Sequence, residues 1–136
     1  MIQFTVPGQP QGKGRPRFSR AGGFVRTYTP AATRSYEDAI RIAAVRAGAE
    51  VMTGPLRMKI YACRQVPASA SKREVSELLA GMAYCTTRPD WDNLGKICSD
   101  ALNGVCYEDD SQIVDARVVK QWAFEASVTV IIEAAS

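Results

Sequence analysis

The chain has 136 residues, 46% hydrophobic and 23% charged, with a formal net charge of +3; this is the size and make-up of one ordinary domain with room for a core. It has no histidine, which excludes Ser-His-Asp triads, Cys-His dyads and histidine-held metals. No apolar run approaches the ~20 residues needed to cross a bilayer and no cationic start leads into an apolar segment, so a cytoplasmic location without membrane contact is expected.

Ile2 to Val6 alternates apolar and polar residues and predicts a short strand. The following PGQPQGKG, Pro7 to Gly14, is too densely punctuated for regular structure. With the basic residues after it and Gly22-Gly23, it predicts a long mobile loop or hairpin over about residues 7–28. Thr29-Pro30 reads as an N-cap followed by proline at the first helical position, and Tyr36, Ile40, Ala43 and Ala47 continue a helix to a stop at Gly48. Leu56, Met58, Ile60 and Ala62 mark a second strand. Ser71 with Glu74 makes a capping box ahead of a short helix carrying Val75, Leu78, Leu79 and Met82.

The clearest helix runs from Asp92 to Asn103, with Leu94, Ile97, Cys98, Ala101 and Leu102 on one face and Gly104 after its end. Val114 to Phe124 gives a third strand, whose alternation Lys120 breaks, and Val128 to Ile132 a fourth; the short link near Glu125 predicts that these two pair as an antiparallel hairpin. The order β-α-β-α-α-β-β predicts a single α+β domain over residues 1–136, a mixed four-stranded sheet with about three helices.

Charge is segregated. The first thirty-six residues carry Lys13, Arg15, Arg17, Arg20, Arg26 and Arg34 and no acid, whereas Asp90, Asp92, Asp100, Glu108, Asp109, Asp110 and Asp115 crowd one later stretch around Lys96. A basic arm suits a polyanion. None of Cys63, Cys85, Cys98 and Cys106 forms a C-x-x-C pair, so buried free thiols are expected and a metal here would be a hard cation held by oxygen, Mg²⁺ or Mn²⁺.

Asp90 and Asp92 flank the start of the best helix, where the helix dipole favours anions, and Asp92, Lys96 and Asp100 form a polar stripe along it. If the third strand packs beside that helix start, an acid of the Glu108-Asp109-Asp110 turn faces the pair. Carboxylates ~4 Å apart repel by about 4 kcal/mol at an effective dielectric of 20, which a divalent ion relieves while activating water against a phosphate. Each feature also has an ordinary reading: a cap, a surface ion pair, a solvated turn, a basic tail. A calcium loop starting at Asp90 fails at Leu94 and Ala101, where it needs a ligand and a bidentate Glu.

Arg88 to Lys120, RPDWDNLGKICSDALNGVCYEDDSQIVDARVVK, resembles the signature of the RusA family of Holliday junction resolvases, with its D-x-D-N-x-x-K, D-A-L and D-D-x-Q-[IV]-V elements in order. GKGRPRF, Gly12 to Phe18, and RTYTP, Arg26 to Pro30, resemble segments of phage members. The resemblance implies a homodimer and Mg²⁺-dependent cleavage of branched DNA, with no organic cofactor. It implies Asp90, Asp92 and Asp110 as the metal-binding triad, Lys96 as the essential lysine, and Asp100 and Asp109 as acids behind them. Lys13, Arg15, Arg17, Arg20, Arg26 and Arg88 are expected on DNA; Phe18, Phe24 and Tyr28 are expected to pack rather than stack on bases. A nuclease acting on flaps and a non-catalytic DNA-binding module are the competing readings.

Overall fold

The computed structural model describes every residue except Pro16 and Ser136, and the side chains of all of these except Arg17 and Ala21. Its elements are β1 (Ile2–Pro7), β2 (Arg17–Ala21), β3 (Phe24–Tyr28), α1 (Ala31–Arg46), β4 (Leu56–Gln65), α2 (Lys72–Leu79), α3 (Trp91–Ala101), a single 3-10 turn (Asp110–Gln112), β5 (Ile113–Ala123) and β6 (Ser127–Ala134).

The main sheet has the order β1-β6-β4-β5. β6 runs antiparallel to both β1 and β4, and β5 runs parallel to β4. A parallel neighbour needs a long crossover, which α2 and α3 supply. The period-2 residues Leu56, Met58, Ile60 and Ala62 of β4 and Val128, Val130 and Ile132 of β6 are all buried, as are Phe4 and Val6 of β1. They face α1 and α3, whose Ile40, Ala44, Leu94, Ile97 and Ala101 complete one core. The α+β class, the mixed four-stranded sheet and three helices are as the sequence predicts.

Three expectations change. The last two strands do not pair: β5 lies on one side of β4 and β6 on the other. Two strand spacings make roughly 10 Å, which residues 124–126 cross over the end of β4, where Val66 N donates to Ala123 O (3.0 Å). A short link is therefore as good for hopping one strand as for a hairpin.

The predicted mobile loop or hairpin also divides in two, an ordered segment and the hairpin that the sequence allowed. Residues 8–14 are tied across the body: Gly8 N donates to Ala126 O, Gln65 N to the Gln9 side chain, Lys13 N to Asn93 O and Gly14 N to Thr33 Oγ1. Beyond them β2 and β3 form a separate antiparallel hairpin. Finally, the helix starts shift: Pro30 holds the N-cap position of α1 and Asp90 that of α3, neither with a side-chain capping bond. At α2, Ser71 accepts from Glu74 N as expected.

Candidate active site

α3 carries the site. Its apolar face is wholly buried through Leu94, Ile97, Cys98 and Ala101, which leaves Asp92 and Lys96, one turn apart, exposed on the outside. Asp90 occupies the N-cap position in extended conformation (φ −69°, ψ 150°), yet its side chain makes no capping hydrogen bond. Among the described residues its carboxylate has no hydrogen-bond partner, in a position where an aspartate ordinarily caps.

An open groove of about 380 Å³ runs up to Asp90, lined by Pro10 to Lys13 on one side and by Arg64, Arg88, Pro89 and Asn93 on the other. Arg64 Nη1 donates to the Arg88 carbonyl (2.7 Å). Behind the groove, Arg64 and Lys120 line a small void with Leu94 and Cys85. Sequence reasoning missed Arg64 as a site residue. The signal was present: Arg64 falls in phase with buried Leu56, Met58, Ile60 and Ala62, just as Lys120 falls in phase with Val118 on β5. A cation on the inward side at the end of a strand marks a site rather than a solvated face.

The second acidic group lies elsewhere along the helix. Leu94 lines one small void together with Ala62 and Lys120, and Gly95 lies against Val118. Tyr107, just ahead of β5, donates its hydroxyl to Ser99 O (2.7 Å). β5 therefore runs opposite to α3, and the Tyr107 hydroxyl that precedes it meets the helix at Ser99, roughly 13 Å of helical rise from Asp90. Burial, with smaller effects from Cys106 and the Asp110 charge, raises the Tyr107 hydroxyl far above its ordinary pKa; the Asp100 charge adds to this. Asp110 and Asp100 thus sit about Tyr107, and Asp90 and Asp92 at the helix start. Among the described residues no three carboxylates or thiols stand close enough to share one ion.

The Glu108-Asp109-Asp110 turn is a built structure. Asp109 caps the 3-10 turn, accepting from Ser111 N (3.3 Å), while Gln112 Oε1 accepts from the amides of Glu108 and Asp109. Gln112 Nε2 donates to the carbonyls of Met52 and Gly54. The Ser111 side chain and then its amide hold the Asp109 carboxyl below its usual pKa. Asp109 is occupied by this cap, which leaves exposed Glu108 and half-buried Asp110 as the available acids of the turn.

Of the predicted DNA cations, Arg15, Arg20, Arg26 and Arg88 are exposed; the side chain of Arg17 lies outside the described set. Lys13 differs: its Nζ lies 2.6 Å from Glu37 Oε1 and 3.3 Å from Asp100 Oδ2. Phe18 and Phe24 are 73% and 72% exposed and Tyr28 is exposed as well, so the hairpin aromatics do not pack as expected. Its faces alternate, Phe18, Arg20 and Val25 on one, Phe24, Arg26 and Tyr28 on the other.

Asp90 and Asp92 offer carboxylate oxygens at the helix start. Mg²⁺ takes one or two carboxylates together with water and substrate phosphates, so Asp90 and Asp92 are chemically suited to such an ion. A carboxylate without a capping bond, Asp90, beside Arg64 and Arg88 suits a charged, cation-bridged ligand better than a small apolar one. The comparisons with known proteins agree: residues 7–133 match the family model described as endodeoxyribonuclease RusA, and the chain belongs to that family of endonucleases. A Bacillus subtilis (strain 168) protein, YqaN, described as uncharacterized, is 38% identical over 138 residues, covering 99% of this chain and 97% of its own. No helix among the described residues is long and apolar enough to cross a membrane.

Proposed function

We propose that the protein is a Mg²⁺-dependent endonuclease of branched DNA that resolves four-way junctions by paired hydrolysis within a homodimer. The observation that carries this reading is the free Asp90 carboxylate at the mouth of a groove lined by Arg64 and Arg88. Asp90 and Asp92 would hold the ion, which when bound would lower the pKa of a water and polarise a phosphoryl oxygen. Arg64 and Arg88 hold the phosphates on either side of the scissile bond, and the N-terminal end of α3 adds its dipole. Lys96, one turn along, offsets charge that builds up on the phosphate. The exposed β2–β3 hairpin grips the backbone through Arg20 and Arg26. Symmetric cutting needs two sites, and two-fold pairing of identical subunits supplies them.

The test is a labelled synthetic four-way junction incubated with Mg²⁺, and separately with chelator. Paired symmetric nicks only with metal are expected. Preference for a flap substrate in the same assay would replace the resolvase assignment by that of a flap nuclease, and binding without nicking would leave a DNA-binding module.

A further inference from the structure

The tripeptide Gly12-Lys13-Gly14 crosses from α3 to α1 at the point where the basic arm leaves the body. Lys13 N donates to Asn93 O (3.1 Å) on α3, and Gly14 N to Thr33 Oγ1 (3.1 Å) on α1. Both glycines are required by close approach. A Cβ on Gly12 would stand 2.8 Å from Asn93 Cβ, and one on Gly14 would stand 2.5 Å from Thr33 Oγ1. Between them the Lys13 ammonium reaches a carboxylate from each helix, Glu37 on α1 and Asp100 on α3. Glu37 is buried, and Arg41 anchors it from beneath, with Nη2 3.4 Å from Oε2 and Nε donating to Ala101 O.

We infer that Lys13 is a positioning residue: it straps the root of the basic arm across α1 and α3, fixes the wall of the groove that leads to Asp90, and makes no contact with the DNA backbone. Two carboxylates already claim its charge, and its side chain is only 19% exposed. A phosphate would have to displace Glu37 and Asp100, leaving buried Glu37 with only its longer contact to Arg41 (3.4 Å), an arrangement that costs more than a surface contact returns. Burial disfavours the Lys13 charge, but the hydrogen bond and charge of Glu37, joined by those of Asp100, outweigh it and raise the Lys13 pKa above its usual value. Asp100 belongs to this strap rather than to the metal.

The inference rests on the nuclease reading for its DNA readouts, but hydrogen exchange judges the strap without DNA. In Lys13→Met, protection of the residue 13 and 14 amides should fall by on the order of tenfold. Junction affinity should fall about tenfold, while the slope of log K against log salt stays that of the wild type. A slope reduced by about 0.9 marks a lost phosphate contact and overturns the inference; so does unchanged amide protection, or lost protection with unchanged affinity. Should Lys13→Met fail to fold, Asp100→Asn, which leaves the Lys13–Glu37 pair intact, carries the test in the same directions with smaller effects. A rise in the Mg²⁺ concentration needed for nicking by Asp100→Asn would make Asp100 a ligand and sink the assignment. If wild-type protein neither binds nor nicks the junction, the nuclease reading fails and amide exchange alone decides whether the strap exists.

Discussion

The acids of this chain share a charge but not an environment, and their environments sort them. Asp90 is an N-cap residue that does not cap, whereas Asp109 is tied into the turn before β5. Asp90→Asn and Asp92→Asn should each lower nicking by roughly 10²-fold or more, an effect typical of groups that hold catalytic charge, while junction binding persists; loss of binding in both would make these acids structural. Asp109→Asn should act on stability instead. Its carboxyl pKa is lowered on folding by Ser111, so its contribution is present above the unfolded value and lost as pH falls through the folded one. Urea midpoints of wild type and Asp109→Asn should therefore differ at neutral pH and converge in acid. The cysteines sort in the same way. Burial pushes Cys98 to about 12 and Cys106 to about 11, which keeps both as inert thiols. Iodoacetamide should label half-buried Cys63 in the native protein and reach Cys98 and Cys106 only after unfolding.

At the level of elements, the parts that could be read from the sequence are those whose partner is the core itself. The Leu94-Ile97-Cys98-Ala101 stripe of α3 and the alternation of β4 report burial directly, and both elements lie where the pattern puts them. Leu94→Ala, at a fully buried site, should cost about 2–5 kcal/mol in chemical denaturation. What the pattern could not report is which strand lies beside which. Periodicity says which face of β5 and β6 is inward, but the three-residue link between them is compatible with pairing or with passage over the end of β4, and the structure takes the second. For the site, the sequence names candidate residues but carries no distances between them. Whether Asp110 lies near Asp90 depends on the relative direction of β5 and α3, and that direction is set by the crossover. Residues 8–14 were misread for a different reason. Their hydrogen bonds go to α1, α3 and neighbouring loops rather than to one another, so no local pattern betrays them. Gly12→Ala tests that ordering: a Cβ 2.8 Å from Asn93 Cβ forces a shift and should cost about 1–3 kcal/mol, seen as a lower urea midpoint.

Over the whole molecule, the net charge of +3 conceals a division of labour between a basic hairpin and an acidic helix start. A two-stranded hairpin is marginally stable in water by itself, and β2–β3 exposes arginine and aromatic side chains on both faces. Such a ribbon is best explained by a partner that supplies negative charge to Arg20 and Arg26 together with flat apolar surface to Phe18 and Phe24; DNA offers both. The two halves of this recognition are separable, because each phosphate contact releases counterions whereas stacking does not. Arg20→Ala with Arg26→Ala should lower the slope of log K against log salt by about 1.8, two contacts at about 0.9 each. Phe18→Ala with Phe24→Ala should leave that slope unchanged and reduce affinity at every salt concentration, by about 1–3 kcal/mol for each ring that stacks on a base. A fluorescence titration with the junction across a salt series measures both. If neither pair of substitutions alters binding, the hairpin does not touch DNA, and its exposed rings belong to a protein surface instead.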